Sequence, residues 1–100
     1  MTRDIHFHKH GRTLGIADAE EYERTADGFM SGVIERHTQQ CQRPNRGDRL
    51  RFNTFDRRFG AEASQEPRFL RTFYKVEQGH INYHGGEQAY FGWECGRIDL

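Results

Sequence analysis

Hydrophobic and polar positions follow two different rhythms along this chain. In the first third the apolar residues recur at helical spacing: Ala19, Tyr22, Ala26, Phe29, Met30, Val33 and Ile34 form one 3.6-residue stripe. Asp18 stands ahead of the stripe as an N-cap, with Glu21 at the capping-box position. The pattern predicts a helix from Ala19 onward, weakened in its second half by Gly28 and Gly32. A shorter helix is predicted over residues 3 to 10, where His6 and His10 stand four apart and Gly11 follows as a stop.

After the loop carrying CQRPNRGDR the rhythm becomes alternation. In RLRFN, Leu50 and Phe52 face one way, while Arg49, Arg51 and Asn53 face the other. RFGAEA, RFLRTFYKV, HINYH and AYFGWE are short, aromatic, and separated by turn residues such as Gly79 and the HGG at 84 to 86. Helices first and strands afterwards predict an α+β domain, with the helices on one face of an antiparallel sheet and the other face free. Along RFLRTFYKV, regular alternation places Arg71 on the face opposite Thr72 and Tyr74. A bulge in the strand, or a site at its end, would relax that separation.

The 100 residues amount to one domain, 1–100, with a single core. Hydrophobic content is low at 34%, but 13% aromatic content supplies large core side chains, which implies a folded chain. No apolar run approaches the length of a membrane helix and nothing resembles a signal peptide. The expectation is therefore an intracellular protein, or the excised end of a longer one. Net charge is zero but unevenly spread. Between Asp18 and Asp27 five acids meet one base, whereas six arginines between Arg43 and Arg58 meet two acids. That arginine-rich stretch suits either a polyanion bound at one place or a solvated loop and strand face. Cys41 and Cys95 lie in no CxxC motif, and both are expected as reduced thiols.

Two chemistries compete for the histidines. His6 and His10, one helical turn apart, are spaced to share a zinc ion, with His37, Cys41, His80, His84 and Cys95 as further candidate ligands. None of these falls in a recognised metal spacing, and the Glu of HExxH is missing. Acid–base chemistry asks for less. Cleaving an RNA phosphodiester needs a base for the 2′-hydroxyl, an acid for the leaving 5′-oxygen, and positive charge around the phosphorane. His6, His10, Lys9, Arg71 and Tyr74 offer those groups, and without a metal the route is specific to RNA.

In order and spacing, HFHKHGRTLGI, DAEEYERTADGF, RFNTFDRRFGA, FLRTFYKV and a final AYF resemble the ribonuclease toxin modules of the barnase–EndoU–colicin–RelE superfamily. Such modules sit at the C-termini of bacterial polymorphic and contact-dependent toxins. The resemblance runs from about Ile5 to Phe91. It implies two N-terminal helices against a four- to five-stranded antiparallel sheet, and metal-independent RNA cleavage in the sheet-side cleft with no cofactor. His6, Lys9 and His10 match the first motif; Arg71, Thr72 and Tyr74 match the second. His8 falls at a variable position. RTLG departs from the family pattern, which has an acid and Phe before the Gly, a change in packing more than in chemistry.

The resemblance further implies a structured RNA such as tRNA as substrate, action in the bacterial cytoplasm after delivery, and a cognate immunity protein. Arg49, Arg51 and Arg57 are the expected RNA-binding residues. Two rival classes remain: a non-catalytic RNA- or protein-binding module of the same fold, and a small zinc-binding protein.

Overall fold

A computed structural model describes residues 11–97. The first predicted helix, residues 3 to 10, lies outside them. A 3₁₀ turn, Gly11–Leu14, leads to helix α1, Ala19–Ser31. Asp18 caps α1 as its sequence predicts, its carboxylate accepting a hydrogen bond from the Glu21 N–H at 2.8 Å. Glu20 and Glu21 complement the positive end of the helix dipole. Tyr22, Ala26, Phe29 and Met30 form the buried stripe.

The stripe ends sooner than its sequence suggests. The helix stops at Ser31, and Val33, expected on its buried face, is 92% exposed. The cause is tertiary. A helix end leaves its last carbonyls without partners, and here the Arg51 guanidinium donates to Phe29 O and Gly32 O while Arg49 donates to Met30 O. These two arginines from a neighbouring strand terminate α1 in place of another helical turn.

Four strands follow: β1 (Thr38–Gln42), β2 (Arg49–Asn53), β3 (Arg58–Glu62) and β4 (Leu70–Lys75). They form an antiparallel meander in the order β1-β2-β3-β4. The sheet then gives way to helices α2 (Gln78–Tyr83) and α3 (Glu87–Gly96). HINYH and AYFGWE were expected as strands, and this is a correction. A short aromatic run carries too few positions to distinguish period 2 from 3.6. In α3 the buried residues are Tyr90, Phe91 and Glu94, a helical spacing. The HGG turn between these segments is real, with Gly85 and Gly86 at φ 92° and 118°, where a Cβ would be strained.

The domain is α+β with a four-stranded antiparallel sheet, but its helices do not share a face. On one side α1 packs Tyr22, Ala26, Phe29 and Met30 against Phe73, with Leu14, Ile16 and Leu70 at the margin. Close approach is possible because β3 carries Gly60, where a Cβ would collide with Met30 Sδ and lie 3.2 Å from the Phe29 ring. The Tyr22 hydroxyl donates to Phe73 O at 2.6 Å, tying helix to sheet. On the other side α2 and α3 cover Leu50, Phe52, Phe59 and Ala61 with Ile81, Tyr90 and Phe91. The face expected to be free is therefore the floor of a second core.

Cys41 on β1 and Cys95 on α3 form a disulfide, with 6.1 Å between their Cα atoms. This corrects the expectation of two reduced thiols. At a separation of 54 residues the pairing follows only from the fold, which lays α3 across the sheet. Closing a loop of that length stabilises the folded chain by about 4 kcal/mol in the chain-entropy account.

Candidate functional site

The site grows from an irregularity in β4. Ala61 pairs with Thr72, but the next β3 residue, Glu62, pairs with Leu70, which leaves Arg71 as an inserted residue. Such a bulge relaxes the strict alternation that would hold Arg71 and Thr72 to opposite faces. Thr72 and Tyr74 stand opposite Ala61 and Phe59, both members of the core under α2 and α3. Arg71 turns toward that side too, with its Nε 3.2 Å from Asp48 Oδ1 and its guanidinium 4.5 Å from the centre of the Phe69 ring.

Asp48 ends the β1–β2 loop and is buried, as is Arg43 at the loop's start. Arg43 lies 4.0 Å from Asp48 and donates to Glu94 Oε1 at 2.8 Å and to the Glu94 carbonyl at 2.9 Å. Glu94 is 2% exposed, so its charge must be met within the fold. The Tyr90 hydroxyl donates to its other oxygen at 2.7 Å, and Arg97 adds a contact at 2.9 Å. The Tyr74 and Tyr90 hydroxyls are hydrogen-bonded to each other. A continuous polar chain thus runs from Tyr74 through Tyr90, Glu94, Arg43 and Asp48 to Arg71.

Among the described residues the chain gathers three guanidiniums (Arg43, Arg71, Arg97) and two carboxylates (Asp48, Glu94). Burial raises the Tyr74 pKa, with the hydrogen bond it shares with Tyr90 opposing the rise and the Glu94 charge adding to it. Burial raises Tyr90 further, and the neighbouring Tyr74 adds to it. Both phenols are proton donors at neutral pH, not bases. The half-exposed Arg71 opens on a recess of about 310 Å³, lined also by Arg46, Gly47, Ser64, Gln65 and Phe69. A guanidinium at such a mouth can clamp two phosphate oxygens with paired donors.

Of the residues predicted from sequence, Arg71, Thr72 and Tyr74 lie on β4; Arg71 borders the recess and Tyr74 belongs to the polar chain. His6, Lys9 and His10 lie outside the described residues. Gly11, which completes the KHG motif, is buried, and the turn it opens packs against β4. Of the predicted RNA-binding arginines, Arg49 and Arg51 are neighbours and Arg57 stands apart. Arg49 and Arg51 lie on the α1 side of the sheet; Arg51 is 6% exposed and is bonded by its Nε to Gln40, while Arg49 also pairs with Glu62. Arg57 adopts φ 66° in the β2–β3 turn and donates to Val76 O and Gln78.

Arg43, Asp48, Tyr90, Glu94 and Arg97 were missed. Tyr90, Glu94 and Arg97 do carry a local signal, since i−4 and i+3 of a glutamate fall on one helix face. That signal is readable only once the segment is seen as a helix. Among the described residues, no group of three or more His, Cys, Asp or Glu is placed to hold a metal ion. Cys41 and Cys95, two of the candidate zinc ligands, are joined to each other. No helix among these residues is long and apolar enough to cross a membrane. No known protein-family model matches the chain, and no curated protein matches it in sequence.

Proposed function

We propose that this domain is a metal-independent RNA endonuclease of the toxin type, cleaving tRNA or another structured RNA by attack of a 2′-hydroxyl on the adjacent phosphate. The supporting observation is the β4 bulge. It inserts Arg71, which borders a recess, into the strand that also carries Thr72 and Tyr74, and the turn opened by Gly11 packs against that strand. Arg71 holds the phosphate, Tyr74 acts as a neutral donor, and His10, with His6 and Lys9, moves the proton. The same proposal includes delivery as part of a larger toxin, action in the cytoplasm of the recipient, and an immunity protein that covers the recess.

The test is incubation of the purified domain with total RNA in EDTA. Wild type cleaves, and His10→Ala loses roughly 10²–10⁴ in rate, the usual worth of a general acid or base. Arg71→Lys loses most activity but keeps RNA affinity within a few-fold, because lysine is a point charge without the paired fork. Absence of cleavage of any RNA by wild type would overturn the proposal. That result would favour a non-catalytic binding module, a reading supported by the exposed Val33 between α1 and β1 and the exposed Phe55 between β2 and β3.

A further inference from the structure

The α2–α3 hairpin carries a second group of side chains that the proposed reaction does not use. His80 lies in α2 and His84 caps its end, four residues on, so one helical turn separates them. Their ring centroids are 5.0 Å apart, with 44° between the ring planes. Aromatic rings fix both imidazoles. His80 stands edge-on to Tyr90 at 5.2 Å, and His84 lies against Trp93 at 4.4 Å and Tyr83 at 5.2 Å. His80 is exposed and His84 partly so. Among the described residues, neither imidazole has a hydrogen-bond partner, so their nitrogens are open to a ligand.

We infer that His80 and His84 form a two-histidine chelate for a late divalent transition ion such as Cu²⁺ or Ni²⁺. Two imidazoles bound side by side to one ion, each nitrogen at about 2.0–2.1 Å, hold their centroids roughly 4.5–5.5 Å apart. The observed centroid spacing of 5.0 Å lies within that range. The donor set decides the class of ion. Nitrogen ligands favour Cu²⁺ and Ni²⁺ and disfavour Mg²⁺ and Ca²⁺, which take oxygen, and affinity rises along the series to Cu²⁺. No third side chain completes the sphere among the described residues, so water holds the remaining positions. Packing against Trp93, Tyr83 and Tyr90 limits ring rotation before the metal arrives, which lowers the ordering cost of binding. The inference is independent of the RNA chemistry.

Trp93 is the only tryptophan in the chain and touches His84, so its fluorescence reports this site alone. The titration uses the whole chain with His6, His8 and His10 changed to Gln, which removes the other clustered imidazoles. One equivalent of Cu²⁺ should quench Trp93 saturably, EDTA should reverse it, and the Cu²⁺ spin-resonance spectrum should show two nitrogen ligands. His80→Gln and His84→Gln should each weaken binding at least about tenfold, as loss of a ligand costs no less than loss of its support. Both positions accept glutamine at the surface, and an unchanged melting temperature without metal verifies that the fold is intact. Quenching that is linear in Cu²⁺, or indifferent to both substitutions, overturns the site. Quenching by adenosine monophosphate but not by Cu²⁺ also overturns it, and assigns the face to nucleobase stacking instead.

Discussion

Glu94 shows how much one buried charge can organise. Its two oxygens receive Arg43, Arg97 and Tyr90, and its backbone carbonyl receives Arg43 again. Removing one partner of such a pair strands the other charge out of water, whereas replacing both with apolar groups is close to neutral. Glu94→Gln should therefore lower stability by about 3–5 kcal/mol, the usual cost of breaking a buried pair. Combining Arg43→Met with Glu94→Leu should recover most of that loss. Denaturant unfolding of wild type and the two variants measures both effects; a double variant no more stable than Glu94→Gln would show that the network does more than satisfy itself. Arg71 is the opposite case. It is half-exposed, borders a recess and, among the described residues, makes one ion pair, with Asp48, so it has donors left for a substrate.

At the scale of elements, the most legible part of the sequence is the start of α1 and the least legible is its end. Asp18, Glu21 and the first four stripe positions act locally, so the sequence announces them. Termination depends on Arg49 and Arg51, some twenty residues later, and no local pattern contains that fact. RFLRTFYKV alternates like a strand and β4 is one, but the bulge at Arg71 is visible only in its pairing with β3. α2 and α3 were misread because aromatic residues suit a half-buried strand and a helix stripe equally well. With them went Tyr90, Glu94 and Arg97.

One electrostatic flaw in α1 is testable. Asp27 has its pKa raised by partial burial, then by the charges of Glu23 one turn earlier and Glu62 on β3. A carboxyl with a raised pKa in the fold binds its proton more readily there than in the unfolded chain. The folded state is thus penalised while Asp27 is ionised, and the penalty fades as pH falls through the raised pKa. Asp27→Asn should stabilise the domain by roughly 0.2–0.5 kcal/mol at neutral pH, the size of a like-charge i,i+4 pair. The difference from wild type should shrink toward zero under mild acid. Thermal melts at a series of pH values test this, and a gain that is constant with pH would point to helix propensity instead.

At the scale of the whole molecule, the cystine joins β1 to α3 and leaves α1 outside the loop it closes. The polypeptide is thus a closed ring with chain leaving it on both sides, not a simple string. Pulled by its two ends, the oxidised chain can yield only the length outside the ring, since the 54-residue span between the cysteines is short-circuited. At about 3.3–3.6 Å per extended residue, roughly 180–190 Å of contour is withheld until the sulfurs are reduced. An optical-trap measurement with and without reductant would see that step directly, and equal lengths under both conditions would mean that the ring does not close. Anything that must draw this protein through a narrow pore in single file meets the same arithmetic: it must open the ring first, or pass two strands abreast.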